Sequence, residues 1–260
     1  MKRTVKQLAI AVFLMIVFIQ FVSAGSRDYY QIQVYRINGK AQEDRIDSYL
    51  KTAYLPALHR AGIKTAGVFK PVASEATAGQ QIIVWLPLTS LVQLDKLQTI
   101  LAKDAAYQTE GAEVLNAPFD NVPFVRKESI LLKAFAEAPA YFIPAHKTNA
   151  SQKIYELRSY EGPTEHLFRQ KVKMFNEAGE IKLFKSLDFN AVFYAEVISG
   201  STMPNLMYLT TFADRAAHDA HWDAFKNNPE WKRLSALEEF KHTVSKAVIL
   251  LLYPTDYSDF

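Results

Sequence analysis

Cysteine is absent from all 260 positions. Disulfides, thiolate metal sites, a cysteine nucleophile and lipid attachment through cysteine are thereby excluded. Glycine is sparse, at 9 residues, and no Gly-rich phosphate loop, HExxH or GxSxG occurs. A Ser-His-Asp arrangement would have to be assembled by the fold, because no local motif signals one. Net charge is missing from the body of the chain as well. The formal charge is +3, and Lys2, Arg3 and Lys6 account for it, since residues 25–260 hold 27 basic and 27 acidic side chains. The pI of about 8.8 therefore reflects the leader. Nucleic-acid binding needs a clustered basic field, and none is present.

What is present begins with that leader. Lys2, Arg3 and Lys6 precede an apolar stretch at residues 8–19, and Val22-Ser23-Ala24 places small residues before Gly25. This is the pattern of a secretory signal peptide over residues 1–24, with export to the periplasm or the exterior as its consequence. An uncleaved anchor is the rival, and the only way this chain would meet a membrane. The apolar run ends at Val22 and is interrupted by Gln20, short of the ~20 residues a span needs. Asn149-Ala150-Ser151 fits a glycosylation acceptor, relevant only in a eukaryotic secretory route. Apolar residues make up 49% of the chain, enough for a large core without disulfides.

Alternation predicts strands near residues 29–36, 65–72, 81–86 and 126–135, and again near 153–160, 189–198, 206–212 and 243–253. Helical spacing fills the intervals at 42–60, 90–115, 164–183 and 214–240. Pro56 should kink or end the first helix, and Pro87 should close the third strand. Thr89 or Ser90, Thr164 and Asp214 are N-cap candidates, and Pro229 starts a short helix. Residues 136–151 are linker-like, with Pro139 and Pro144 opposing regular structure.

Each half thus reads strand, helix, strand, strand, helix, strand. Residues 30–35 align with 155–160 at an offset of 125, and 82–87 align with 206–211 at 124. The expected fold is α+β: two tandem ferredoxin-like βαββαβ units, at residues 25–135 and 152–260, joined by the linker at 136–151. Helices cover one face of such a sheet. Packing the bare faces together would give an intrachain α+β barrel; pairing of each unit with another chain is the alternative.

Tyr155–Tyr160, reading YELRSY, together with Trp222 and the Asn228-Pro229-Glu230-Trp231 turn, resembles the NIPSNAP family of the dimeric α+β barrel superfamily. The resemblance is strongest over residues 153–260 and weaker over 29–135, where Gln31-Ile32-Gln33 replaces Glu-Leu-Arg. It implies the barrel fold but brings no general catalytic motif. Eukaryotic members are largely mitochondrial and linked to membrane traffic and organelle quality control. The leader here lacks transit-peptide character, so that role is not carried over.

Strand parity supplies the candidate site. Tyr30, Ile32 and Val34 share one side of the first strand, as do Tyr155, Leu157 and Ser159 of its repeat. The apolar set is expected to meet the helices. Gln31, Gln33 and Tyr35, with Glu156, Arg158 and Tyr160, should then face the barrel interior, joined by Tyr194 and Glu196. Such a set could bind a small polar-headed ligand, or do acid–base work if burial raised Glu156. Its structural rival is an ion pair between Glu156 and Arg158 across strands. His218 and His221 lie three apart beside Asp214 and Asp219, but no third metal ligand is indicated, so a packed or surface role is expected. Nothing selects a haem ligand among His59, His166, His218, His221 and His242, and no cofactor is expected. Three functions remain open: an exported ligand-binding protein, a cofactor-independent monooxygenase or isomerase acting in the barrel, or an interaction protein burying the Trp222–Trp231 region against a second copy.

Overall fold

The computed structural model describes residues 26–260 apart from 144, 145 and 147. The expected signal peptide lies outside the described residues. Among the described residues, no helix is long and apolar enough to cross a membrane.

The first half runs β1 (Tyr29–Arg36), α1 (Lys40–Tyr49), α2 (Leu55–Arg60), β2 (Gly67–Pro71), β3 (Gln81–Leu88), α3 (Leu91–Lys103), α4 (Ala105–Glu110), α5 (Ala112–Leu115) and β4 (Arg126–Ala134). Pro56 acts where expected, though by widening the helix. Residues Leu50–Tyr54 form a π-helical turn directly before it. Proline has no N–H and its ring crowds the carbonyl four residues back, and a π turn relieves both. Pro87 does not close β3, which runs on to Leu88. β2 reaches only to Trp85 on that side, so Pro87 sits on a local edge where a missing N–H is tolerated. Ser90 caps α3 by accepting from the Gln93 N–H at 3.2 Å, and Asp104 caps α4 from Tyr107 at 2.9 Å.

The second half repeats the order: β5 (Ile154–Glu161), α6 (Glu165–Asn176), α7 (Glu180–Ser186), β6 (Asn190–Ser199), β7 (Asn205–Phe212), α8 (Arg215–Asn227), α9 (Pro229–Ser235) and β8 (Lys246–Pro254). Thr164, Asp214 and Asn228 cap α6, α8 and α9 through their side chains. Gly179, left-handed at φ 98°, turns the chain between α6 and α7.

All eight strands close into one antiparallel barrel in the order β1-β3-β2-β8-β5-β7-β6-β4. The halves meet edge to edge at β2–β8 and β4–β6, so closure occurs within the chain. Their internal registers coincide. Gln31 lies opposite Leu86 and Leu131, and Glu156, at the corresponding position of β5, lies opposite Thr210 and Leu251.

Strand parity sorts the side chains as expected, but the faces are inverted. Tyr30, Ile32, Val34, Tyr155 and Leu157 fill the barrel interior with Trp85, Phe193 and Leu252, in one apolar cluster drawn from both halves. The residual void there is about 10 Å³, too small for a ligand. Gln31, Gln33, Tyr35, Glu156, Arg158 and Tyr160 instead lie outside the barrel wall, under the helices. An eight-stranded barrel is just wide enough for side chains to fill it. Buried polar groups need partners, and helices crossing the outer face supply them in the form of Tyr54, His218 and Trp222. Those outer layers are two further apolar clusters, one per half.

Candidate functional site

In the second half, the helices leave a cleft of about 740 Å³ against the outer face of β5 and β8. Glu156, Arg158 and Tyr160 of β5 form its floor, with Ile249 and Leu251 of β8 beside them. His218, Asp219, Trp222 and Phe225 come from α8, Trp231 from α9, and Lys171 and Glu180 from α6 and α7. Glu75, in the loop between β2 and β3, reaches over from the first half and accepts from the Leu251 N–H at 3.0 Å.

Glu156 is wholly buried, at 0% exposure, and its carboxylate accepts three hydrogen bonds. His218 Nε2 approaches Oε2 at 2.6 Å and Trp222 Nε1 donates to the same oxygen at 2.5 Å. Arg158 Nε donates to Oε1. Glu156 and Arg158 are therefore a pair two apart on one strand, rather than across strands. The guanidinium lies 3.5 Å from the Trp222 ring centroid, a cation–π stack, and donates through Nη1 to Tyr160 Oη at 2.9 Å. Tyr160 Oη is in turn 2.9 Å from Tyr208 Oη. His218 and Trp222 are four apart on α8, so one helix face carries both donors.

Burial alone would raise the Glu156 carboxyl, yet the bonds from His218 and Arg158 prevail and hold it below the usual carboxylate range. For His218, burial disfavours the charged ring, but the contacts to Glu156 and to Asp219, the latter at 2.7 Å from Nδ1, raise it above its ordinary value. A carboxylate against each ring nitrogen favours the doubly protonated ring, in which both nitrogens donate. Lys171 and Glu180 form a second buried pair at 2.8 Å behind the cleft. Burial pushes Glu180 up, and Lys171 offsets this only in part. Among the described residues, no group of His, Asp and Glu could hold a metal ion.

The eight residues expected at the site do not converge. Glu156, Arg158 and Tyr160 do. Tyr194 packs behind them against Phe175, Phe184 and Tyr208. Glu196 lies away from the cleft, paired with Arg27 and Arg169. Gln31, Gln33 and Tyr35 occupy the equivalent place in the first half, where Gln33 Nε2 bonds Gln31 Oε1 at 3.0 Å and Tyr54 Oη at 2.8 Å. His218 and Trp222 were missed as site residues. The His218–His221 spacing drew attention to metals, whereas the spacing that matters is His218 to Trp222. Lys171 and Glu180 meet only through the turn at Gly179, which no spacing rule reveals.

The family model described as NIPSNAP matches residues 155–259, which span β5 to β8 and nearly all of the cleft. The expected resemblance to that family is borne out there. No curated protein sequence matches the chain. Among solved structures, a Lactobacillus acidophilus NCFM protein provisionally assigned as a monooxygenase is 13% identical, covers 88% of this chain and 94% of its own, and superposes with a TM-score of 0.56. An anthrone oxidase-like protein is 9% identical over 90% of this chain and 94% of its own, at 0.55. An uncharacterised NIPSNAP-like domain protein from Burkholderia xenovorans is 16% identical over 41% of this chain and 89% of its own, at 0.37. The first two share the α+β barrel fold across both halves.

Proposed function

We propose that this chain, matched by the NIPSNAP family over residues 155–259, is an exported protein that binds a small ligand in the cleft between β5, β8 and the helices α6 to α9. The observation that carries the reading is the Glu156–Arg158–His218–Trp222 network. Glu156, His218 and Trp222 are buried at the floor of a cleft of about 740 Å³, and Arg158, which they hold, is partly exposed to it. The cleft sets aromatic side chains of Tyr160, Phe184, Tyr208, Phe225 and Trp231 beside convergent charged groups, and such convergence in a concave site is what fixes a small ligand's orientation. The network is also costly to bury, so it is an expensive way merely to fill a core. A thermal-shift screen of the full chain against a diverse small-molecule library tests the reading. Ligands that raise the melting temperature should lose their effect in Ile249→Trp, which narrows the cleft from its exposed wall. Hits that act equally on both proteins, or silence across the library, count against it.

The matching registers of the two halves support a finer statement, that the barrel is one ferredoxin-like unit duplicated. Export rests on the charged start and short apolar core of residues 1–24. N-terminal sequencing of protein recovered from its native source should begin at Gly25; recovery of the intact leader would refute cleavage.

Acid–base catalysis of the kind a monooxygenase or oxidase would need finds less support here. His218 has carboxylates against both nitrogens, a setting that favours the protonated ring over one with a lone pair ready to accept a proton. Glu156, already accepting three bonds in its ionised form, is a poor base as well.

A further inference from the structure

We infer that the ligand of this cleft is a monoanionic aromatic carboxylate, its carboxylate seated on Arg158; this rests on the binding role proposed above. The charges of the network alternate along a connected line. Arg215 Nε bonds Asp219 at 3.0 Å, Asp219 bonds His218 Nδ1 at 2.7 Å, His218 Nε2 bonds Glu156 at 2.6 Å, and Glu156 bonds Arg158. That line holds three cations and two carboxylates when His218 is protonated, the form its two carboxylate contacts favour. It is one negative charge short; of its two ends, Arg215 is 57% exposed and met by solvent, whereas Arg158, 14% exposed, is enclosed by the cleft. Among the described residues, Arg158 Nη2 has no protein acceptor, while Nε and Nη1 are committed to Glu156 and Tyr160. Arginine presents this end as a planar fork that matches a carboxylate. The fork is held still by the Trp222 ring beneath it.

The surroundings limit the charge to one. Lys171 is spent on Glu180 and Lys226 on Asp223. Glu75, Asp219 and Asp223 stand at the walls, so a second negative charge on the ligand would meet carboxylates with no free cation to offset them. The remaining lining is aromatic. Tyr160, Phe184, Tyr208, Phe225 and Trp231 offer ring faces and edges to a flat body.

The test is calorimetric titration of the full chain with matched aromatic acids and amides: benzoate with benzamide, 1-naphthoate with 1-naphthamide, and indole-3-acetate with indole-3-acetamide. Inorganic phosphate and acetate serve as the dianionic and ring-free controls. At least one acid should bind at one site per chain, at least tenfold tighter than its amide and than either control. Arg158→Gln should abolish that binding. Ile249→Glu places a carboxylate at the wall through a residue that is 45% exposed, so it leaves the fold intact even if Arg158→Gln does not. It should weaken the acid at least tenfold more than it weakens the amide. Amides binding as tightly as acids, or an acid indifferent to Ile249→Glu, would overturn the ligand class while leaving the cleft a binding site. Phosphate outcompeting the acids would do the same. Silence from every pair, together with silence in the library screen, would remove both readings.

Discussion

The Glu156–Arg158 pair makes a quantitative prediction, because the first half shows what a neutral replacement looks like. Glu156→Gln keeps the shape of the side chain and deletes its charge. It leaves Arg158 and His218 beside an amide in a site where Glu156 is wholly buried. Removing one partner of a buried pair costs about 3–5 kcal/mol. Deprotonation of His218 relieves part of the cost, so about 3 kcal/mol is expected. Arg158→Gln is milder, about 2 kcal/mol, since Glu156 keeps its bonds to His218 and Trp222. The double variant reproduces the Gln31–Gln33 pair, which is buried at equivalent register and bonded at 3.0 Å. It should cost about 2 kcal/mol rather than the ~5 kcal/mol of the two changes added, a coupling of about 3 kcal/mol.

Urea unfolding followed by far-ultraviolet circular dichroism measures all four corners of the cycle. A chain of this size shifts its melting temperature by about 2–4 °C per kcal/mol. Glu156→Gln should therefore melt about 6–12 °C low, and the double variant should recover part of that loss. If the two changes simply add, the pair is not coupled, and the account of Glu156 and Arg158 as members of one connected network is wrong.

Stability should also respond to pH in a definite direction. His218 is raised, so its contribution is fully present below its unfolded value, about 6.5, and is lost as pH rises through the folded value. Glu156 is lowered, so its contribution is present above its unfolded value and lost as pH falls through the folded one. The melting temperature should decline on the alkaline side of about pH 6.5, and His218→Gln should flatten that decline; an unchanged slope would assign it to other groups. Thr210 is buried opposite Glu156 with no partner for its hydroxyl among the described residues, so Thr210→Val should stabilise by about 1 kcal/mol in chemical denaturation. Phe193 packs against Tyr30 and Trp85 in the barrel interior at ring distances of 5.1 and 5.9 Å. Phe193→Ala should cost about 3–5 kcal/mol, and a loss below about 1 kcal/mol would mean the interior is not the packed core described. Asp214→Ala should cost about 1 kcal/mol by freeing the Ala217 N–H that Asp214 accepts at 2.8 Å.

Much of the architecture could be read before any coordinates. Alternation placed all eight strands, and the offset between residues 30–35 and 155–160 anticipated their equal registers. The orientation of the faces could not be read in this way. A period of two says which residues share a side but not which side is enclosed, and here both sides are buried. The apolar set Tyr30, Ile32 and Val34 fits a helix-covered face as well as a barrel interior. What decides is the supply of partners. Glu156 needs three donors, and only helix-borne His218 and Trp222 complete the set that Arg158 begins. Those two residues come from a helix about sixty positions away, so no local pattern tied them to β5.

The two halves then diverge in a way their shared backbone does not require. At the positions of Glu156, Arg158 and Tyr160, the first half carries Gln31, Gln33 and Tyr35. There Tyr54 supplies a hydroxyl to Gln33, and Tyr49 and Tyr107 close the space with a mutual contact of 2.6 Å. An amide pair costs far less to bury than an ion pair and leaves no charge seeking a counterion. The first half can therefore be sealed and contribute packing alone. The second half holds an ion-pair line that its own residues leave unbalanced, under helices that stand off to leave a cleft of about 740 Å³. One half thus packs an amide pair, while the other holds a costly ion-pair network beside an open cleft. The loop bearing Glu75 ties the sealed half to the mouth of the open one.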